Sequence, residues 1–274
     1  HDYRSVHAEK TLTAFFTRLM PPSLSFSETG SGPPLVILHG LFGSGINWRR
    51  IATTLADEWR VLTPDLVNHG DSPWSDDMSY PAQAEALKQF LNEHQLERPA
   101  LVGHSMGDKV AMTLALQDSR PLSGLVIVDI APVSYPHSHL SLVEALENVP
   151  IEALSSRKEA ESYLAHSIND GALRQFLLQN LRIENGTLRW RINLPVIKKQ
   201  MALLTAFDPP PGVYDERSLF LYGGESDYVT KEYTPLIKAH FPQAALVEIQ
   251  DAGHWLHAQK PDEVASAIRS FLKA

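Results

Sequence analysis

The sequence predicts an α/β fold in which helices cover both faces of a mostly parallel sheet. Short apolar runs alternate with helical patterns over about residues 24–131, and the same alternation returns over about residues 216–274. Strands that are joined through helices run parallel and need helices on both faces of their sheet. Between the two segments several helical patterns follow one another without strands. This interruption predicts a helical cap inserted into one α/β core.

The strands of the predicted core are short apolar runs bounded by turn residues. Leu24–Thr29 is predicted to be an edge strand, and a turn rich in Gly and Pro separates it from the buried strand Leu35–Leu38. Further strands are expected over residues 60–63, from residue 99, and over residues 124–129, 218–222 and 245–249. Apolar periodicity predicts helices over about residues 48–58 and 81–94, after residue 107, and over about residues 231–240 and 262–272.

The cap is predicted over residues 132–215, between the core segments 24–131 and 216–274, and residues 1–23 are predicted to be an appendage. The cap contains helical patterns over about residues 140–148, 156–168, 172–181 and 195–204, and a small hairpin over residues 184–192. Ligands of such sheets bind beyond the carboxyl ends of the strands. The residues that follow each strand are therefore the candidates for a functional site.

Composition excludes several classes of function. The chain has 274 residues, no cysteine and a formal charge of −8, without a basic patch. Thiol catalysis, disulfides and cysteine-ligated zinc are excluded, and neither nucleic acid nor a membrane is an expected partner. No apolar run approaches the roughly 18 residues of a membrane span, and residues 1–24 lack the pattern of a signal peptide. We expect a cytoplasmic protein that is a monomer or a small homo-oligomer.

Gly103-His-Ser-Met-Gly107 lies between a predicted strand and a predicted helix. In this context Gly-x-Ser-x-Gly is typical of a nucleophile elbow, a sharp turn that exposes the serine hydroxyl. The glycines allow neighbouring backbone to approach, and the first N–H groups of the helix face an anion formed beside the serine. Ser105 is the predicted nucleophile, although a five-residue pattern also occurs by chance.

A glycine-rich loop, His39–Gly45, follows the first buried strand. Such a loop can bind phosphate, but the Lys-Ser/Thr pair of a nucleotide-binding loop is missing here. The alternative is an oxyanion hole, in which the N–H groups of Leu41 and Met106 point at one oxygen atom. We favour this second interpretation because Ser105 is present.

A serine nucleophile needs a base with a pKa near 7, which histidine supplies. His254 follows the last predicted strand and is the candidate base, with His257 as the alternative. A metal site at His137 and His139 is disfavoured because no third ligand is in view.

Two carboxylates could orient His254. Asp129 ends the strand that follows the nucleophile helix, and Asp227 lies in the turn after the next-to-last strand. Either could accept the imidazole Nδ1–H and hold the ring in the tautomer that accepts the serine proton. Aspartates also cap turns at strand ends, so sequence spacing leaves the choice open.

Five segments form a set of motifs: Leu38–Ser44, Asp65–Ser72, Gly103–Gly107, Val128–Val133 and Ala252–His257. Together they resemble the α/β-hydrolase family, and within it the YbfF-type bacterial esterases and their eukaryotic abhydrolase-domain-eleven relatives. The cap segments Gln175–Leu181 and Trp190–Leu194 are similar to the same branch. The resemblance implies a serine carboxylesterase that hydrolyses small-molecule esters with short acyl chains and needs neither cofactor nor metal.

The resemblance also implies roles for particular residues. It assigns the acid to Asp129 and makes Ser226 a second hydrogen-bond partner of the histidine, while Asp227 is shifted by one position from the usual place of the acid. Asp108 stands where relatives usually have a glycine, near the expected oxyanion site. There its charge could lower the activity or bind a cation.

Other functions are compatible with the same residues. A thioesterase, a C–C bond hydrolase or a cofactor-free haloperoxidase could use this serine arrangement. A non-catalytic binding protein built on this fold is the alternative from a different class.

Overall fold

In a computed structural model, which describes residues 23–118 and 121–274, seven strands form one sheet. Their order is β1-β3-β2-β4-β5-β8-β9, and β1 is an edge strand that pairs antiparallel with β3, whereas the other pairs are parallel. The bounds are β1 Phe26–Thr29, β2 Pro34–Leu38, β3 Arg60–Pro64, β4 Ala100–His104, β5 Gly124–Val128, β8 Ser218–Gly223 and β9 Ala244–Ile249. The predicted appendage lies outside the described residues except for Ser23.

Successive side chains of the central strands enter two different apolar cores. In β2, Leu35 and Ile37 belong to one core and Val36 and Leu38 to the other. Both sets are fully buried because each face of the sheet is covered by helices. One face carries α1 (Arg49–Leu55) and α11 (Pro261–Lys273), and the other carries α2 (Tyr80–Glu93), α3 (Met106–Gln117) and α9 (Thr234–His240). The predicted α/β class with a mostly parallel sheet is confirmed.

The segment between β5 and β8 is mainly helical. It contains α4 (Leu140–Glu147), α5 (Arg157–Leu164), α6 (Gly171–Leu178), the hairpin of β6 (Leu181–Glu184) and β7 (Thr187–Trp190), then α7 (Leu194–Lys199) and α8 (Met201–Thr205). The short helix α10 (Leu256–Gln259) follows β9. We use "cap" below for this segment between β5 and β8.

Three predicted cap helices and the hairpin differ from the structure. The helix predicted over residues 156–168 ends at Leu164, and the hairpin predicted over residues 184–192 spans Leu181–Trp190. The helix predicted over residues 172–181 ends at Leu178, because Leu181 pairs with Trp190 in the hairpin. The helix predicted over residues 195–204 is two helices that meet at Gln200. The Gln200 side chain accepts a hydrogen bond from the N–H of Met78 at 2.9 Å and donates to the carbonyl oxygen of Asp76. For the helices predicted over residues 172–181 and 195–204, contacts with residues distant in the sequence end the helix earlier than the apolar periodicity predicts.

The cap is bonded to loops at the carboxyl ends of the core strands. Asn180 Nδ2 donates to the carbonyl oxygen of Phe42 at 2.7 Å, and Asn193 Nδ2 donates to Asn68 Oδ1 at 2.9 Å. The cap therefore covers the end of the sheet at which a ligand is expected. None of the helices within residues 23–118 and 121–274 is both long and apolar enough to cross a membrane.

Candidate active site

Ser105 lies at a strained turn between β4 and α3. Its φ of 52° and ψ of −110° fall outside the regions that residues with a side chain favour. The turn packs tightly against the loop after β2, since a Cβ atom on Gly107 would lie 2.6 Å from the carbonyl oxygen of His39. A similar atom on Gly103 would lie 2.7 Å from the backbone nitrogen of Asp108. Glycine is therefore required on both sides of Ser105.

Asp108 stabilises this turn from within the core. One carboxylate oxygen accepts the N–H of Ser105 at 2.7 Å and the other accepts the N–H of Val128 at 2.9 Å. The side chain is fully buried, and this burial raises the pKa of Asp108 well above its usual value. The expectation that Asp108 places a charge or a cation at the oxyanion site is wrong, because both oxygens bind backbone N–H groups away from solvent. Asp108 instead joins the elbow to β5.

The loop after β2 brings Leu41 close to Ser105, and Leu41, Ser105 and Met106 line a common cavity. Within the described part of the chain, the N–H groups of Leu41 and Met106 donate no hydrogen bond. Free donors beside a serine are what an oxyanion requires. His39 fixes the base of the loop, since its Nε2 accepts the N–H of Leu66 at 2.8 Å and its Nδ1–H donates to the carbonyl oxygen of Gly40. Burial lowers the pKa of His39 to about 4.

The structure brings Asp129 and His254 together, since Nδ1 of the imidazole lies 2.8 Å from Oδ2 of the carboxylate. Asp129 is fully buried and has a φ of 63°. Its other oxygen accepts the N–H of Gly223 at 3.0 Å. Both carboxylate oxygens are therefore hydrogen-bonded, and one of them holds the imidazole through its Nδ1 atom.

Among the described residues, neither Ser226 nor Asp227 forms a hydrogen bond with the imidazole of His254. The Ser226 hydroxyl donates to Asp129 Oδ2 at 2.5 Å, whereas the resemblance to the YbfF-type branch implies a bond to the histidine. Asp227 is exposed, and within the described residues its carboxylate makes no hydrogen bond to His254. The one-residue shift in the turn therefore places a hydroxyl, rather than a second carboxylate, next to Asp129.

Ser105 and His254 line the same cavity. Among the described residues their hydroxyl and imidazole do not form a hydrogen bond with each other. A serine hydroxyl reaches a new position by rotation about one bond, and catalytic hydrogen bonds often form only when substrate is bound. The arrangement therefore places a serine hydroxyl and an imidazole at the same cavity.

Two residues that position His254 were missed in the sequence analysis. The ring of Tyr228 stacks on the imidazole with 3.9 Å between ring centroids and 17° between planes. His104 Nε2–H donates to the backbone carbonyl oxygen of His254 at 2.9 Å. His104 is the variable residue inside the elbow motif and Tyr228 follows Asp227, but neither position gives a sequence signal for contact with His254.

His257, the alternative base, has a different environment. It is buried and stacks on Trp48, with 4.6 Å between ring centroids. Burial lowers the pKa of His257 to about 3, so the ring is neutral and cannot accept a proton near neutral pH. His137 and His139, the disfavoured metal pair, lie in the cap, and His137 Nε2 bonds the hydroxyl of Tyr228 at 2.6 Å.

Two small cavities meet at Ser105. The first, of about 40 Å³, is lined by His254 and by apolar side chains of the cap that include Leu142, Leu173 and Phe176. The second, of about 30 Å³, is lined by Met106, Lys109, Tyr135 and residues near the end of α8. Leu41, Ser105 and His139 line both cavities. A substrate bound at Ser105 can therefore place one part in each cavity.

The chain is similar to proteins that are named esterases and lipases. A family model described as "alpha/beta hydrolase fold" matches residues 33–261. The sn-1-specific diacylglycerol lipase ABHD11 of Xenopus tropicalis is 39% identical over 261 residues, 91% of this chain and 81% of that protein. Esterase YbfF of Escherichia coli K12 is 37% identical over 240 residues, 87% of this chain and 92% of that protein. A solved structure described as a marine microorganism esterase has a TM-score of 0.89 and 40% identity, covering 91% of this chain and 99% of that chain.

Proposed function

Because this chain belongs to the α/β-hydrolase fold family, we propose that it is a serine carboxylesterase in which Ser105, His254 and Asp129 form the catalytic triad. The predicted resemblance to this family is confirmed by the similar proteins. Because those relatives are esterases and lipases, this chain is a hydrolytic enzyme. The observation that carries the triad is the 2.8 Å contact between Asp129 and His254 beside the strained Ser105.

The reaction follows from these positions. His254 Nε2 accepts the Ser105 proton as Oγ bonds to the ester carbonyl carbon, and the N–H groups of Leu41 and Met106 bind the resulting oxyanion. The C–O bond to the alcohol then breaks, and His254 returns the proton to the leaving oxygen. Water, activated by the same imidazole, hydrolyses the acyl-enzyme and restores the serine.

The size of the cavities supports a short acyl chain. The volumes of about 40 and 30 Å³ beside Ser105 each hold a few small groups, since one water needs about 10–15 Å³ of such volume. An acyl group of a few carbons fits without movement of the cap. Small-molecule esters are the proposed substrates, and the monomeric or small-oligomeric state and the cytoplasmic location remain predictions.

A fluorophosphonate probe and p-nitrophenyl acetate test this function. We expect the probe to label the wild-type protein and the Ser105→Ala variant to lose both labelling and turnover, because Oγ is the atom that bonds to carbon or phosphorus. Ser162→Ala, a change at an exposed serine, is the matched control and keeps both. An unlabelled, well-folded wild type would support the non-catalytic alternative, and turnover by Ser105→Ala would exclude the proposed nucleophile.

The thioesterase alternative is tested with matched oxygen and sulfur esters of the same acyl group. We expect hydrolysis of both by Ser105, with the larger kcat/KM for the oxygen ester after correction for the leaving-group pKa. A preference for the thioester would assign the enzyme to the alternative class with the same triad.

A further inference from the structure

The two cavities at Ser105 are not equivalent for an ester. On the proposed mechanism, His254 gives its proton to the leaving alcohol oxygen, so the alcohol must lie within reach of that imidazole. Of the two cavities, the first is lined by His254 and the second is not. Met106, which contributes one of the proposed oxyanion donors, lines the second. The acyl chain therefore enters the second cavity, which we call the acyl cavity.

Part of the wall of the acyl cavity is formed by the cap. Leu204 and Thr205, at the C-terminal end of α8, line it together with Tyr80 and Tyr135 from elsewhere in the chain. The last carbonyl groups of any helix have no partner within the helix. In α8 those carbonyls are bound by a side chain from the core.

That side chain is Lys109, one turn after Ser105 in α3. Its Nζ donates to three successive carbonyl oxygens, those of Leu204, Thr205 and Ala206, at 3.2, 3.0 and 3.3 Å. An ammonium has three N–H donors, so all of them are used. The charge also suits the negative end of the helix dipole. The contact joins the helix after Ser105 directly to the cap residues Leu204 and Thr205, which line the acyl cavity.

The ammonium of Lys109 is enclosed by aromatic rings. Its Nζ lies 5.4–5.7 Å from three ring centroids, those of Tyr80, Tyr135 and Phe207. The hydroxyl of Tyr80 donates to the same Leu204 carbonyl oxygen at 2.6 Å. Lys109 is 3% exposed, and such a burial of a charge is stable only when the charge is paired or well hydrogen-bonded. Lys109 therefore holds the end of α8 together with Tyr80.

We propose that Lys109 is a specificity-determining residue that limits acyl-chain length by holding the end of α8 against the acyl cavity. This inference rests on the proposed function. Lys109 is the side chain that binds all three of these carbonyl oxygens, and the Tyr80 hydroxyl and the Tyr135 N–H add one bond each, to Leu204 and Thr205. A longer acyl chain could enter only if these contacts were broken.

The alcohol side of the site is open by comparison. A surface groove of about 860 Å³ adjoins the first cavity, with which it shares Asn47, Leu173, Phe176, Trp255 and His257. A large alcohol can extend along this groove, whereas a long acyl chain meets the end of α8. The structure therefore assigns the enzyme to esters of short acids with large alcohols.

Two substrate series test the role of Lys109. One series varies the acyl chain from acetate to octanoate on p-nitrophenol, and the other varies the alcohol of acetate esters from methanol to naphthol. In Lys109→Met we expect the octanoate-to-acetate ratio of kcat/KM to rise about tenfold, the scale of selectivity that one or two methylenes produce in an apolar pocket. In Lys109→Met the ranking of kcat/KM along the alcohol series should not change. Lys109→Arg should retain part of the preference for short acyl chains, because the guanidinium still has N–H donors for the carbonyl oxygens.

Two further variants keep the test decisive. Leu204→Ala widens the acyl cavity without removing the ammonium, so it should give the same shift even if Lys109→Met does not fold. Phe176→Ala, on the alcohol side, should change the alcohol series and leave the acyl ratio unchanged. An unchanged acyl ratio in folded Lys109→Met would overturn the proposal, and so would an unchanged ratio in Leu204→Ala. Fluorophosphonate labelling of Ser105 in each variant separates this outcome from a failure of the proposed function.

Discussion

At the scale of single residues, the site depends on two strained positions. Ser105 and Asp129 both have positive φ although neither is glycine. Asp108 holds Ser105 by accepting its N–H. Asp129 accepts the N–H of Gly223 on its carboxylate and donates its own N–H to the carbonyl oxygen of Leu221. Strain of this kind persists only where surrounding structure fixes it, and it is common at functional sites.

Exchange of each candidate acid for its amide tests the assignment of Asp129. Asp129→Asn should lower kcat by about 10³–10⁴-fold, as in the known case of a serine protease triad, because the amide favours the wrong imidazole tautomer. Asp227→Asn, the matched control at an exposed carboxylate, should change kcat less than about twofold. Initial rates on p-nitrophenyl acetate and circular dichroism measure activity and folding. A larger loss in Asp227→Asn would reverse the assignment.

At the scale of elements, the cap supports the loop that provides the proposed oxyanion donor. Phe42, next to Leu41, has a φ of 62°, and its carbonyl oxygen accepts a 2.7 Å hydrogen bond from Asn180. Asn180 lies between α6 and β6 and is buried. The conformation of a core loop thus depends on a cap residue that is distant in the sequence.

Removal of this amide tests the dependence. Asn180→Ala should lower kcat by about tenfold, equivalent to about 1.4 kcal/mol of transition-state stabilisation, because the Leu41 N–H loses its fixed position. Steady-state kinetics on a short ester would measure kcat and KM separately. Ser156→Ala removes the N-cap bond of α5 in the same cap and is the control for general destabilisation, with unchanged kcat. Equal kcat values in Asn180→Ala and wild type would show that the loop does not need the cap.

At the scale of the whole molecule, burial keeps several histidines neutral. Desolvation lowers the pKa of His69 and His257 to about 3 and that of His39 to about 4, and it lowers the pKa of His104 well below its usual value. In the unfolded chain these side chains bind protons below about pH 6.5. The unfolded state therefore binds more protons in acid, so stability falls as the pH drops below 6.5 and continues to fall towards pH 3–4.

Replacement of one of these histidines by an aromatic ring tests the source of the acid sensitivity. Between pH 7 and pH 5, His257→Phe should lose about 2 kcal/mol less unfolding free energy than wild type, because one proton uptake by the unfolded state is removed. The phenyl ring can keep the stack on Trp48. Urea unfolding at the two pH values measures the difference. Identical losses in the two proteins would mean that His257 is not the group that titrates.

The sequence alone determined the α/β alternation, the edge strand, the elbow around Ser105 and the position of His254 after the last strand. These features are local, because strand and helix periods and the Gly-x-Ser-x-Gly turn depend on residues a few positions apart. The boundaries predicted for the cap helices over residues 172–181 and 195–204 were wrong because they depend on residues that are distant in the sequence. Contacts from Trp190 and Met78, distant in the sequence, determine where those helices end.

Only the tertiary structure decided which carboxylate meets His254 and which direction Asp108 takes. Asp129 and Asp227 both lie beyond the carboxyl ends of parallel strands, β5 and β8. Their distances from the imidazole therefore depend on backbone angles and side-chain packing. The three carbonyl contacts of Lys109 likewise join residues 95 to 97 positions apart. Sequence patterns predict where helices and strands lie, because these patterns depend on residues close in the sequence. Long-range packing decides which side chains at the ends of those elements contact each other.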